Sequence, residues 1–215
     1  MEPETPNQSS YPVRFDVDYP DRDLNRLSTA FRIFAAIPIL ILSALLTGAS
    51  AHWGWGHDTR TVAFSAAGLV VLPTVLMLVF RQKYPRWWFD WNLELLRFLN
   101  RIGVYLALLD DRYPSTDERQ SVALDIPYPD AENDLSRWLP IVKWILAIPH
   151  YIVLFFLIIA AFFVVVFAWF AILFTRRYPR GLFDFVVGVA RWNNRVAGYA
   201  FVLATDKSPP FSLSP

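Results

Sequence analysis

The stretch Val13–Pro20 (VRFDVDYP) decides the fold, because it returns in related form as Val122–Pro129 (VALDIPYP). Further markers follow each copy in the same order: the triplet YPR at 84–86 returns at 178–180. A long apolar stretch lies between the markers in both halves. The chain is therefore predicted to be a tandem duplication of one membrane unit.

Composition points to the membrane. The 215 residues are 55% hydrophobic and only 18% charged, whereas soluble domains are typically about a quarter charged. Ile33–Ala51 and Thr61–Phe80 carry no charged residue, and Trp144–Thr175 contains only His150 as a group that ionises near neutral pH. A spanning helix needs about 20 apolar residues. We therefore predict an integral membrane protein, with membrane lipids as its surroundings.

The same composition excludes several classes of chemistry. The chain has no cysteine, which excludes disulfides, thiolate catalysis and cysteine-ligated metals. The net charge is +1 and there is no basic block, so nucleic acid is not an expected partner. We expect no cofactor.

The distribution of cations predicts the topology. Only Arg60 lies between the first two apolar segments, at about 27–50 and 61–80. Lysine and arginine near membrane spans stay cytoplasmic, so these segments should form a hairpin with both ends inside. Trp144–Thr175 as one helix would be about 48 Å long, against a hydrocarbon core of roughly 30 Å. We expect two helices there, at about 135–157 and 160–175, with a tight turn near 158–161; a shallow hairpin that does not fully cross is the alternative.

Four spans would leave both repeats in the same orientation, related by a pseudo-twofold axis along the membrane normal. The expected localisation is the bacterial cytoplasmic (inner) membrane, with both termini cytoplasmic. Alternation of apolar and charged residues in both marker stretches predicts strands. With strand-like runs at Val104–Leu109 and Gly198–Ala204, they would form one small shared cytoplasmic sheet.

The fold class is thus a mostly α membrane protein, with two parallel repeats of strand, transmembrane hairpin, interfacial amphipathic helix and strand. The interfacial helices are expected at 86–102 and 180–196, where tryptophan and phenylalanine mix with charged residues. The predicted divisions are a tail at 1–10, repeat 1 at 11–109, a linker at 110–121, repeat 2 at 122–207 and a tail at 208–215.

Three stretches together, YPVRFDVDYP (11–20), LSRWLPIVKWILAIPHYIVL (135–154) and RYPRGLFDFVVGVARW (177–192), resemble a bacterial membrane family catalogued only as a domain of unknown function. The resemblance runs from Tyr11 to about Leu213 and is most specific in the second repeat. It implies a bacterial inner-membrane location and supplies no activity or binding residues.

His150 is the candidate intramembrane polar site. It follows a proline inside an apolar segment, and ionisable groups at membrane depth are functional candidates. The first repeat has Ile39 at this place, so local hydrogen bonding or an interfacial position is the stronger interpretation. His52 and His57 could in principle hold a metal, but their spacing fits no familiar zinc pattern, and we expect no metal site.

A second group of candidates recurs in both halves at the same spacing of 94 residues (184 − 90). Each helix would carry an acid, an asparagine and an arginine, and the group would form either a structural polar network or a lipid headgroup site. The residues are Asp90, Asn100 and Arg101 in repeat 1, and Asp184, Asn194 and Arg195 in repeat 2.

No nucleophile–base pair, phosphate loop or metal motif stands out, so we expect no enzymatic activity and no catalytic residue. The leading hypothesis is a non-catalytic scaffold or accessory subunit of a larger membrane protein complex. The alternative is lipid handling or small-solute transport between the repeats, although few polar groups lie at mid-membrane. A membrane enzyme acting on lipid is the third hypothesis.

Overall fold

The structure is a computed structural model that describes residues 11–47, 66–115 and 120–215. Helices dominate it, as predicted, and its strands form one small antiparallel sheet. In chain order the elements are β1 (Arg14–Val17), α1 (Arg26–Ala30), α2 (Arg32–Thr47), α3 (Ala66–Arg81), α4 (Arg86–Leu106), β2 (Val122–Asp125), α5 (Leu139–Leu146), α6 (Ile148–Thr175) and α7 (Arg180–Ala200).

The two marker stretches pair with each other. Strands β1 and β2 are antiparallel, with Phe15 opposite Leu124, and both side chains are buried in the core. The outward carbonyl of Phe15 accepts from Arg191 Nε at 3.0 Å, and that of Leu124 accepts from Arg97 Nε at 3.0 Å. These arginines therefore occupy backbone acceptors on the outer edges of the sheet, where another strand would otherwise pair.

The prediction of four strands was wrong, because in the described residues only β1 and β2 form a sheet. The runs at 104–109 and 198–204 begin inside the last turns of α4 and α7 instead. Their backbone groups are already hydrogen-bonded within these helices, and the buried side chains of Val104 and Tyr105 pack from a helix face. Each run then leaves its helix through a residue of positive φ, Leu108 at 64° and Leu203 at 58°.

Helix α6 is continuous over 28 residues, so the expected turn near 158–161 was wrong, as was the shallow hairpin. No glycine, proline or asparagine lies between Tyr151 and Thr175, and a turn there would leave backbone groups unpaired in apolar surroundings. The chain bends instead at Ala147, between α5 and α6, where Pro149 lies in the first helical turn. Helix α6 ends at Thr175, and the capping residue Arg176 has a φ of 62°.

Helix α6 is the one helix in the described residues that is long and apolar enough to cross a membrane. Only 17% of its most apolar window is buried inside the protein. A narrow stripe that includes Leu154, Ala168 and Ile172 packs inward, and most other side chains are exposed hydrophobics. The shorter apolar helices α2 and α3 contact each other, but the segment that joins them, 48–65, lies outside the described residues.

Helix α7 lies at the centre of the molecule and not at its surface, which corrects the expectation of an interfacial helix there. It contacts α6, α5 and β1. Close approach requires glycine at two of its positions: a Cβ at Gly198 would lie 2.6 Å from Val13 Cγ2, and one at Gly188 would lie 2.9 Å from Leu213 Cβ. The segment 208–215, predicted as a C-terminal tail, is thus packed on α7.

Candidate functional site

The helices α4 and α7 meet at a reciprocal pair of side-chain amides. Asn100 Nδ2 donates to Asn194 Oδ1 at 2.7 Å, and Asn194 Nδ2 donates to Asn100 Oδ1 at 2.7 Å. Each amide also donates to a carbonyl one turn earlier, of Leu96 and Ala190 respectively. Asn194 is 1% exposed. Among the predicted site residues, these two are brought into direct contact, and they join the two halves of the chain.

The neighbouring arginines bind backbone carbonyls of the segments that follow each helix. Arg101 Nη1 donates to Ser115 O at 2.9 Å. Arg195 donates to Ser212 O at 3.2 Å and to Ser214 O at 2.9 Å. Both side chains are buried. A buried guanidinium that donates to loop carbonyls in this way fixes the path of a loop, so these arginines anchor the chain after α4 and after α7.

The two predicted carboxylates lie apart from the arginines. Asp90 and Arg101 are eleven residues apart in α4, about 16 Å along the axis, and Asp184 and Arg195 have the same separation in α7. Asp90 is exposed and lies 3.9 Å from Arg86 one turn away, and Asp184 is exposed. The acids therefore share no site with Arg101 or Arg195.

Three buried cations were missed by the sequence reasoning: Arg191, and the pair Arg32 and Lys143. Arg32, 2% exposed, donates to the carbonyls of Tyr105 at 2.8 Å and Asp110 at 2.6 Å and lies 4.5 Å from the Tyr105 ring centre. Lys143, fully buried, donates to Thr205 O at 2.7 Å. Its ammonium is 5.2 Å from the Tyr199 ring centre.

The sequence did hold a signal for this pair. Arg32 and Lys143 are separated by 111 residues (143 − 32), the same offset as the repeated Ile-Pro dipeptide (148 − 37). A cation at the same place beside an apolar segment in both halves could have been noticed. Lys143 also forms an ion pair with Asp206 at 2.8 Å. Burial lowers the pKa of Lys143, and Asp206 opposes that shift.

His150 is covered by the C-terminal segment and α7. Its Nδ1 accepts from Trp192 Nε1 at 3.3 Å, and its ring stacks on Phe211 with centres 4.1 Å apart. The side chain is 2% exposed. The structure places His150 in local hydrogen bonding and ring stacking, on the inward stripe of α6 and away from its exposed face.

A cleft of about 750 Å³ lies against the sheet and the C-terminal segment. Its charged lining carries both signs: Arg14, Asp16 and Asp125 belong to the strands, and Arg191 and Arg195 to α7. Arg191 is already engaged, since it bonds Asp16 at 2.9 Å and Leu213 O at 2.9 Å. The cleft is thus a mixed-charge surface with ordered walls.

Two smaller clefts lie where the chain leaves each strand. One of about 410 Å³ includes Asp18–Arg22 and Asp110, and one of about 400 Å³ includes Pro127–Pro129 and Asp206. Within the described residues no group of three or more His, Asp or Glu side chains is placed to hold a metal. His52 and His57 lie outside the described residues.

The segment that contains α5, α6, α7 and most of the C-terminal tail can be compared with known families. A DUF4389 domain, a domain of unknown function, is found at residues 138–212. The predicted resemblance to a family catalogued only in that way is confirmed, and the match covers much of the segment predicted as repeat 2, where the resemblance was expected to be most specific. The DUF4389 segment contains Lys143, His150, Asn194 and Arg195. No curated protein and no solved structure matches the chain.

Proposed function

We propose that the protein is a non-catalytic, membrane-embedded scaffold or accessory subunit of a bacterial inner-membrane complex. One observation carries the proposal: the buried polar side chains bind the protein's own backbone. Lys143, Arg191 and Arg195 each donate to main-chain carbonyls. Side chains committed in this way stabilise a shape, and they are not positioned to take part in a reaction.

We also propose that the halves are two copies of one unit, related by an approximate twofold axis along the membrane normal. The paired strands and the amide pair support this arrangement, because residues at equivalent places in the two copies face each other. Phe15 faces Leu124, and Asn100 faces Asn194. Isologous contacts of this kind are what a twofold axis generates.

Contacts between the halves also occur in matching pairs. Tyr19 Oη donates to Tyr178 O at 2.5 Å, and Tyr128 Oη donates to Tyr84 O. Each tyrosine ring lies under an arginine of the other half, Arg180 over Tyr19 and Arg86 over Tyr128. The halves would therefore behave as one interlocked body. Such a body suits a rigid platform better than a transporter whose halves must move against each other.

The placement of the chain ends supports a common side for both termini. Tyr11 Oη donates to Lys207 O at 3.1 Å, so the described start of the chain lies beside the C-terminal segment. Strand β2, from the region between the halves, pairs with β1. We assign this shared side to the cytoplasm because most cations follow the apolar segments in positions that the positive-inside rule keeps there.

The partner would bind the polar face that carries the sheet. This face holds the 750 Å³ cleft with exposed Asp125 on its wall. A partner with a complementary cationic segment fits a site whose strand carboxylates are exposed, since Asp16 is 72% exposed even while paired. Charge pairs of this kind give orientation and specificity more than affinity.

The test is affinity capture of the tagged protein from native membranes in mild detergent, with mass spectrometry of proteins and lipids in the eluate. We expect a stoichiometric protein partner that Asp125→Lys removes. The control is Glu132→Lys, an equal charge change at an exposed residue outside the cleft. If the Asp125→Lys variant still captures the partner, the partner does not bind at this surface. A lone protein enriched in one lipid class contradicts the scaffold role and favours lipid handling.

A further inference from the structure

We infer that α6 lies in the plane of the membrane, within the cytoplasmic leaflet, and does not cross the bilayer. The inference rests on the proposed membrane location and specifies how the protein enters the membrane. Its basis is the packing of α7 alongside α6. Ala147, at the start of α6, clusters with Tyr199 and Ala200, and Leu154 clusters with Trp192 and Val196. The helices therefore run side by side in opposite directions.

This packing fixes the depth of charged groups relative to α6. Leu157 packs on the cluster that contains Trp192, about one turn from the midpoint of α6. Arg191, the residue before Trp192, forms an ion pair with Asp16, whose side chain is 72% exposed. If α6 crossed the bilayer, this ion pair would lie near mid-membrane, where charged side chains are strongly unfavourable. With α6 in the plane, the pair lies on the water side.

The length of α6 and its flanking cations agree with the same placement. Its 28 residues would extend about 42 Å, more than the roughly 30 Å hydrocarbon core. Arg137 precedes the α5–α6 pair, and Arg176 and Arg177 follow it. A single crossing would put the cations at one end of the α5–α6 pair outside, against the positive-inside rule. An in-plane helix keeps both on the cytoplasmic side without the turn that the structure lacks.

The occupant of the exposed face of α6 is the acyl layer of a single leaflet. Exposed phenylalanines are distributed along the length of the helix, and charged side chains lie only beyond its ends. This is the pattern expected of a helix face that is buried in the acyl layer beneath the lipid headgroups. Exposed Arg176 and Arg177 would meet anionic phosphates at that boundary. The exposed phenylalanines are Phe155, Phe156, Phe162, Phe163, Phe167, Phe170 and Phe174.

Spin-label depth measurements test the placement, helped by the absence of native cysteine. Ile152→Cys, Phe163→Cys and Phe174→Cys, all exposed in the wild type, are labelled in the full chain reconstituted in vesicles of three parts phosphatidylcholine to one part phosphatidylglycerol. We expect three depths equal within about 5 Å. A spanning helix would instead place Phe163 about 15 Å deeper than both ends, and that profile would overturn the inference.

Labelling in intact cells supplies the second measurement. Trp138→Cys and Arg177→Cys, at exposed positions beyond either end of the α5–α6 pair, should both resist a membrane-impermeant maleimide until the cells are permeabilised. Reaction of Arg177→Cys from outside would show a crossing and refute the in-plane placement. Absence of the protein from the membrane fraction would refute the membrane proposal itself, so the two failures are distinguishable.

Discussion

Buried cations beside aromatic rings stabilise both ends of this fold at the residue scale. Lys143 loses its hydration, and Thr205 O, Asp206 and the Tyr199 ring replace it. Arg32 has a comparable environment of Tyr105 and Asp110 carbonyls. These interactions link the start of α2 to the end of α4 and its following segment, and the last turn of α5 to the segment that follows α7.

Replacing Lys143 with methionine should lower the free energy of unfolding by about 3 kcal/mol. Removing one partner of a buried ion pair leaves the other uncompensated, and the cost stays at the low end of the range because Asp206 keeps some contact with water. Denaturation in detergent measures the effect. Lys207→Met, at an exposed lysine nearby, should change it by less than about 0.5 kcal/mol. Equal losses would contradict a special role for Lys143.

Buried phenols predict a decline of stability at alkaline pH. Burial raises the pKa of both Tyr84 and Tyr178 above the usual value. The stabilising contribution is therefore complete below pH about 10, the unfolded-state pKa, and is lost as the pH rises further. The free energy of unfolding should fall by up to about 1.4 kcal/mol per pH unit for each phenol.

Comparison with Tyr178→Phe, by denaturation between pH 10 and 12, isolates one of these contributions. The variant should lose stability less steeply than the wild type, because it has one fewer buried phenol to ionise. Tyr113→Phe, which removes a phenol that is 47% exposed, serves as the control. Parallel curves for the wild type and Tyr178→Phe would show that this phenol does not contribute.

At the scale of elements, close packing of α7 against β1 requires glycine at 198. Gly198→Ala should destabilise the protein by about 1–3 kcal/mol, because its Cβ would lie 2.6 Å from the buried Val13 side chain. Gly103 in α4 has open space around it, so Gly103→Ala should stabilise by about 0.5–1 kcal/mol. Thermal unfolding of both variants checks the prediction. A stabilising Gly198→Ala would mean that α7 and β1 pack less closely.

At the scale of the whole molecule, the matched contacts between the two halves lead to a prediction about the second half alone. Expressed alone, residues 111–215 should self-associate into a dimer, because a second copy can supply the contacts that the first half now supplies. Asn194 could pair with its own counterpart in place of Asn100, and Tyr128 could donate to Tyr178 O in place of Tyr84 O. Light scattering in detergent measures the mass. Asn194→Asp should weaken the dimer by placing two carboxylates face to face, and a well-folded monomer would contradict the twofold arrangement.

The sequence by itself determined the apolar segments, the repeated markers, the mostly helical class and the resemblance to a domain of unknown function. Local rules suffice for these, since hydrophobic runs and Tyr-Pro helix starts depend on near neighbours. The sequence also identified Asn100 and Asn194, because their spacing repeats. It could not show that they bond to each other, since residues 94 apart (194 − 100) meet only through the packing of α4 on α7.

Tertiary structure alone decided the rest. The runs at 104–109 and 198–204 have strand-like composition, but they begin in helical turns whose backbone groups are already bonded. Helix α7 looks amphipathic in sequence, yet β1 and the C-terminal segment supply carbonyl partners to its buried arginines, and α6 packs along its apolar side chains. Lys143 and Arg32 are buried for the same reason. A charge can be buried only where hydrogen-bond acceptors from distant segments surround it. The order of residues along the chain does not specify which acceptors lie next to the charge in the folded protein.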